Sequence, residues 1–160
     1  MSKGPSAIEK RPTEQREQAS VQEYFDRFAA AMTSGDLKMM TRLWGVPAFV
    51  IGTHEARVVQ SEAEIEQFFS GAKQLYNRRG IVGTRAEIVD LDWIDEELVM
   101  ATVRWPYLDQ NDRTLGEESS TYTLLRGEDR SFKLRVITFR GPARAPEGAD
   151  ADTEDGTDGE

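Results

Sequence analysis

Cysteine is absent from the chain, and histidine occurs once, at His54. The first absence removes disulfides, thiolate metal sites and thiol nucleophiles, and the second leaves any histidine-based constellation with a single member. No apolar run approaches the roughly 18 residues that a membrane-crossing helix needs. The opening stretch MSKGPSAIEKRPTEQREQ has no apolar segment of secretory type either. A glycine-rich phosphate loop, zinc spacing and internal repeats are also missing, and the acids of DQNDRTLGEE lack the alternation of an EF-hand. The sequence therefore gives no reason to expect a metal or a cofactor. Positive charge is scarce as well: 20 Lys and Arg stand against 29 Asp and Glu, with no basic stripe interleaved with aromatics, which argues against nucleic acid. These absences predict a cytoplasmic protein that partners neither nucleic acid nor membrane.

What is present fits one domain of 160 residues. The net charge of −9 is unevenly spread: residues 141–160 contribute −6 and everything before them only −3. That last stretch has no aromatic, Leu, Ile or Val, so it cannot bury enough apolar surface to offset its ordering entropy. The expected organisation is a flexible lead-in over 1–17, a folded unit over 18–141 and a disordered acidic tail over 142–160. TEQREQ is placed to extend the first helix backwards, and the tail is placed to cover the basic pair Lys133 and Arg135.

Val21, Tyr24, Phe25, Phe28, Ala29 and Met32 follow helical spacing, and Ser34-Gly35-Asp36 ends that helix. Asp36 can cap a second helix carrying Leu37, Met40, Leu43 and Trp44. Pro47 stops it, and AFVIGT and RVVQ read as two short strands around a turn. Ser61 with Glu64 forms a capping box ahead of a third helix running through Ile65, Phe68, Phe69, Ala72, Leu75 and Tyr76 to Gly80. After Gly83 come four strands joined by IDEE, DQNDRTLG and GEDR, an antiparallel meander. Helices gathered before such a sheet predict an α+β layer architecture with about three helices on one face. Alternation predicts that Val89, Leu91 and Trp93, and likewise Val99, Ala101, Val103 and Trp105, meet the helices. On the last strand it sets Phe132, Leu134 and Val136 against Lys133, Arg135 and Ile137.

The Gly35-Asp36-Leu37 corner, RVVQSEAEIEQFF, VMATVRW and the closing TYTLLRGEDRSFKLRVITF pair resemble the nuclear transport factor 2-like superfamily over residues 20–140. That group includes ketosteroid isomerases and SnoaL-like polyketide cyclases. The resemblance implies a cone in which a curved, mostly antiparallel sheet wraps the third helix and leaves a cavity between helices and sheet. It also implies a homodimer formed through the outer sheet face, which the partly apolar outer residues independently suggest.

The isomerase positions have no chemically competent occupants. Phe28 stands where the resemblance implies a tyrosine, and a phenyl ring cannot donate a hydrogen bond. Ile51, Gly52 and Thr53 stand where it implies the base aspartate. His54 falls in the hairpin turn. Three readings stay open. The leading one is a protein of unassigned specific function that binds a small hydrophobic or aromatic molecule, with Trp44, Trp105, Tyr107, Tyr122 and Thr123 as lining rings and hydroxyls. The second is an enzyme of polyketide-cyclase or isomerase type, with Asp90 or Asp92 as base and Tyr24 or Tyr122 as hydrogen-bond partner. It requires the sheet to face the other way, so that Asp90, Asp92 and Arg104 line the chamber together. The third is an interaction module that recruits a protein on the outer sheet face.

Overall fold

A computed structural model describes residues 12–140; most of the expected lead-in and the whole acidic tail fall outside the described residues. Helix α1 spans Pro12–Ser34 and so takes in TEQREQ. It is followed by α2 (Leu37–Leu43), β1 (Trp44–Gly52), β2 (Glu55–Val59), α3 (Glu62–Phe69), α4 (Ala72–Arg78), β3 (Glu87–Trp93), β4 (Leu98–Leu108), β5 (Thr114–Arg126) and β6 (Phe132–Arg140). Local chemistry fixes the boundaries as the sequence suggests. Gly35 adopts φ 75° between α1 and α2, where a side chain would crowd the backbone. The Asp36 carboxylate accepts from Met39 N at 3.0 Å. Ser61 Oγ accepts from Glu64 N at 3.2 Å, while Glu64 reaches back to Gln60 N at 2.7 Å.

Two expectations about elements need correction. The single third helix is two, because Gly71 with φ 81° interrupts it between Phe69 and Ala72. The long helix inside the cone is accordingly α1, not the third helix. Strand β1 also starts at Trp44, before Pro47 rather than after it. Pro47 is tolerated there because pairing to β6 lapses between Trp44 and Phe49, so no ladder bond is lost.

The strands form one curved, open sheet in the order β2-β1-β6-β5-β4-β3, antiparallel throughout except for the β1–β6 pair. Four consecutive strands make the expected meander, and β6 then pairs with β1 to join the N-terminal hairpin to it. The concave face carries Val99, Ala101, Val103 and Trp105 of β4, Tyr122 and Leu124 of β5, and Phe132, Leu134 and Ile137 of β6, all buried. Here two inward assignments shift. A register irregularity between Ile88 and Asp90 leaves Val89 48% exposed and turns Ile88 toward the core. A second irregularity, opposite Thr123 and Leu124, puts Ile137 inward in place of Val136. Each is a bulge, which reverses the alternation beyond it.

Helix α1 lays Val21, Tyr24, Phe25 and Phe28 into this concavity. Phe25 meets the Tyr122 ring edge-on at 5.0 Å between centroids, and Phe28 lies 5.6 Å from Trp105. Burying each phenyl contributes roughly 1.5–3 kcal/mol. At the opposite end Arg126 ties the start of α1 to the sheet: it pairs with Glu17, donates to Glu96 O and stacks on Phe132 at 4.3 Å.

A Cβ at Gly71 would meet no atom within 4 Å, so only its backbone conformation resists substitution. Gly71→Ala is expected to cost about 1 kcal/mol in urea denaturation. A neutral result would show that the break between α3 and α4 does not depend on the left-handed residue.

Candidate functional site

The sheet bends further than α1 can fill. Beyond Phe28 the helix offers only Met32 before it ends, and α3 and α4 bridge the gap from the far side. A chamber of about 680 Å³ remains between them. Its walls are Phe28 and Met32 of α1, Phe68 and Phe69 of α3, Leu75 and Tyr76 of α4, and Ile137 and Phe139 of β6. The turn from Gly52 to Glu55, which includes His54, also borders it. Strand β5 contributes Glu118, Ser120 and Tyr122, which share one strand face because side chains two apart point the same way.

These three supply the chamber's polar end. The Tyr107 hydroxyl donates to Glu118 Oε1 at 2.8 Å. Tyr107 reaches it because Gly116, its cross-strand partner, has no side chain: a Cβ there would come within 3.3 Å of the Tyr107 ring. The Tyr76 ring packs on the other side at 5.8 Å. Trp105 Nε1 donates to the Tyr122 hydroxyl at 2.8 Å, with both residues buried. Burial pushes the Glu118 carboxyl above its ordinary range, and the Tyr107 bond partly opposes this by favouring the anion. Burial, followed by the nearby Glu118 charge, raises the phenols of Tyr76 and Tyr122, so both keep their protons. The arrangement is one half-buried carboxyl and several hydroxyls at one end of an aromatic box, suited to hydrogen-bonding a single polar group on an apolar molecule. A smaller cleft of about 40 Å³ adjoins it, sharing Met32, Tyr76 and Glu118 as a common wall.

The residues singled out from the sequence are spread over several places. Tyr122 lines the chamber, and Trp105 and Tyr107 line the adjoining cleft. Trp44 is core, packed on Phe68 and Phe69 with its Nε1 buried and without a partner. Thr123 alternates with Tyr122 and lies on the convex face opposite Met100 and Val136. Tyr24 is buried beneath α2, its hydroxyl committed to Leu43 O at 2.6 Å. Asp90 and Asp92 are exposed on the convex side, in register with Thr102 and Met100. Arg104 is also exposed there and pairs with Glu87 at 3.0 Å. These three do not border the chamber. The residue that sequence reasoning passed over is Glu118, and its signal was available: in ESSTYTLLR, Leu124 and Tyr122 point inward, so an acid four residues before Tyr122 does too.

Glu118 generates a pH prediction. Its folded pKa lies above the ordinary 4.5, so the folded state binds this proton more tightly than the unfolded chain. The resulting stability is complete below that value and is lost as pH rises through the folded pKa. Glu118→Gln is expected to escape this loss. Its melting midpoint should gain on the wild type as pH rises from the ordinary carboxyl range through the folded pKa. A difference that stays flat across this range would contradict the placement of the carboxyl.

No curated protein matches the chain. Solved structures of the same fold do. They include an NTF-2 like protein of unknown function from Shewanella oneidensis (12% identity, 76% of this chain and 96% of that one, TM-score 0.57). A protein of unknown function with a cystatin-like fold from Nostoc punctiforme matches at 11% identity over 88% of this chain and 99% of that one, with a TM-score of 0.61. An NTF2-like superfamily protein from Salmonella enterica serovar Typhimurium matches at 12% identity over 85% and 97%, with a TM-score of 0.56. Identities this low establish the fold alone. The family described as NTF2-like protein (DUF6841) matches residues 16–142; the chain belongs to this family, in keeping with the resemblance carried by its corner, capped helix and closing strands.

Proposed function

We propose that this NTF2-like domain binds a small hydrophobic or aromatic molecule inside the cone. The observation that carries this reading is the chamber itself. Its volume of about 680 Å³ falls within the roughly 300–1,000 Å³ of small-molecule sites, and its walls combine many apolar groups with few polar ones, as such sites do. The rings of Phe28, Phe69, Tyr76 and Tyr122 border it and offer flat faces to a planar ligand. Glu118 and Ser120 give that ligand one end at which to be oriented. The alternative of a cyclase- or isomerase-type enzyme working through Asp90 or Asp92 draws no support from this geometry, because both are exposed on the far side of the sheet.

A neutral fluorophore such as N-phenyl-1-naphthylamine tests the reading. It is expected to brighten with the wild type and to raise the melting midpoint, since a ligand of the folded state alone must stabilise it. Ala72→Trp and Leu75→Trp each place an indole in the chamber wall and are expected to abolish the signal while leaving the ligand-free midpoint near that of the wild type. Equal fluorescence with the blocked variants would place the dye elsewhere and overturn the proposal.

A second reading, a homodimer through the outer sheet face, is favoured by one row of residues. In register across the convex side run Val58, Phe49, Val136, Thr123, Met100 and Asp92. Phe49, at 46% exposure, sits in the apolar half of this row, with Ile51 exposed beside it. A second copy related by a two-fold axis would cover that half. Sedimentation should give a dimer for the wild type and a monomer of unchanged circular dichroism for Phe49→Lys. A wild type that sediments as a monomer would remove this reading.

A further inference from the structure

We propose that the chamber selects a cation: its ligand is an apolar amine whose ammonium group sits against the Glu118 carboxylate among the Tyr76 and Tyr122 rings. The proposal rests on the chamber being a small-molecule site and deepens that reading by naming the class of ligand.

Charge is the first argument. No lysine or arginine borders the chamber among the described residues, whereas Glu118 does. A carboxylate-bearing or phosphate-bearing ligand would meet this acid with no lysine or arginine in the chamber wall to neutralise either charge. Free valence is the second. Tyr107 occupies Oε1 of Glu118, and no donor from the described residues reaches Oε2, which stays available as an acceptor. The walls are the third, because the electron-rich faces of phenyl and phenol rings attract a cation, more so where water is excluded. A neutral alcohol could use the free acceptor but would gain neither the charge-assisted bond nor the ring faces.

The groups that face Glu118 set the pH dependence. Strand β4 brings Tyr107 and α4 brings Tyr76, while Tyr122 lies on its own strand; α1 contributes Phe28, Met32 and Thr33, none of them charged or titratable. Lys73 borders the adjoining cleft, where its Nζ lies 3.2 Å from the Asn77 side-chain oxygen once that amide is turned to accept. His54 and Glu55 stand on the exposed turn at the chamber's border. With the ligand absent, burial favours the neutral acid. An ammonium within a few ångströms reverses this preference. Binding at low pH must therefore expel the Glu118 proton, so affinity falls as pH drops through the carboxyl's folded pKa and levels off above it.

Calorimetry on the full chain with three matched probes tests the inference: 2-naphthylmethylamine, 2-naphthylmethanol and 2-naphthoate. The amine is expected to bind about tenfold more tightly than the alcohol, as a charge-assisted bond warrants, and the carboxylate to show no binding. Glu118→Gln should bind amine and alcohol alike and lose the fall in amine affinity at low pH. Tyr107→Phe, which keeps the acid but removes the bond holding its anion, should shift that fall to higher pH and supplies the readout if Glu118→Gln does not fold. If the alcohol binds as well as the amine, or if the preference survives in Glu118→Gln, the cation inference is overturned while the chamber reading stands. Failure of all three probes to bind would sink both.

Discussion

Phe25 and Phe28 lie against Trp105 and Tyr122, and this contact between one helix and the concave face governs the interior. It fixes the depth to which α1 enters the cone. It also holds Trp105 and Tyr122 in adjacent strands close enough for the indole to bond the phenol at 2.8 Å. A phenol in a dry core without a partner would cost about 1–3 kcal/mol, so the bond is what allows a tyrosine there. Past Phe28 the helix has only Met32 to offer before Gly35 turns the chain away, and the sheet continues bending without it. The chamber is thus the remainder left by a helix that ends early, kept open because α3 and α4 are separated at Gly71 and cover the space from outside.

Much of this was legible in the sequence, because the signals concerned were local and redundant. The stripe from Val21 to Met32, the Asp36 and Ser61 caps, and the meander with its Asp-rich turns each specify an element through its own residues. The α+β layering and the family resemblance followed from their order. Features that depend on a change of phase were not legible. At Ile88-Val89 and Val136-Ile137 two β-branched apolar residues stand side by side, so either could point inward, and only the partner strand decides which one does. The helical spacing through Phe68, Phe69, Ala72 and Tyr76 likewise continues across Ser70-Gly71 as though nothing interrupted it.

The site was less legible than the fold for a related reason. Candidate rings were chosen by residue type, and type does not say which side of a strand a ring is on. Tyr122 and Thr123 are neighbours in sequence, yet one borders the chamber and the other lies on the convex face. Trp44 has the right chemistry and sits behind Phe68 and Phe69, sealed from the space it was expected to line. Strand phase alone carries the Glu118 signal: the acid lies four residues before Tyr122 on β5 and therefore shares its inward face.

Glu118 also stands apart from the other charges of the sheet. Glu87 and Arg104 face outward, pair with each other in water and are worth little to stability. Asp90 and Asp92 are solvated on the same face. Glu118 is placed on the concave side, as Arg126 is at the other end of β5, but Arg126 is paired with Glu17, whereas burial raises the Glu118 pKa and a neutral isostere would fold more easily there. The neighbouring residues accommodate the acid rather than neutralise it: Gly116 clears room for Tyr107, and Tyr107 gives one hydrogen bond to one oxygen. A carboxyl held at such a cost is a feature that packing alone would replace with glutamine or leucine. Perturbed acids of this kind gather where a protein meets a ligand, and here the acid borders the large space left between the helices and the sheet.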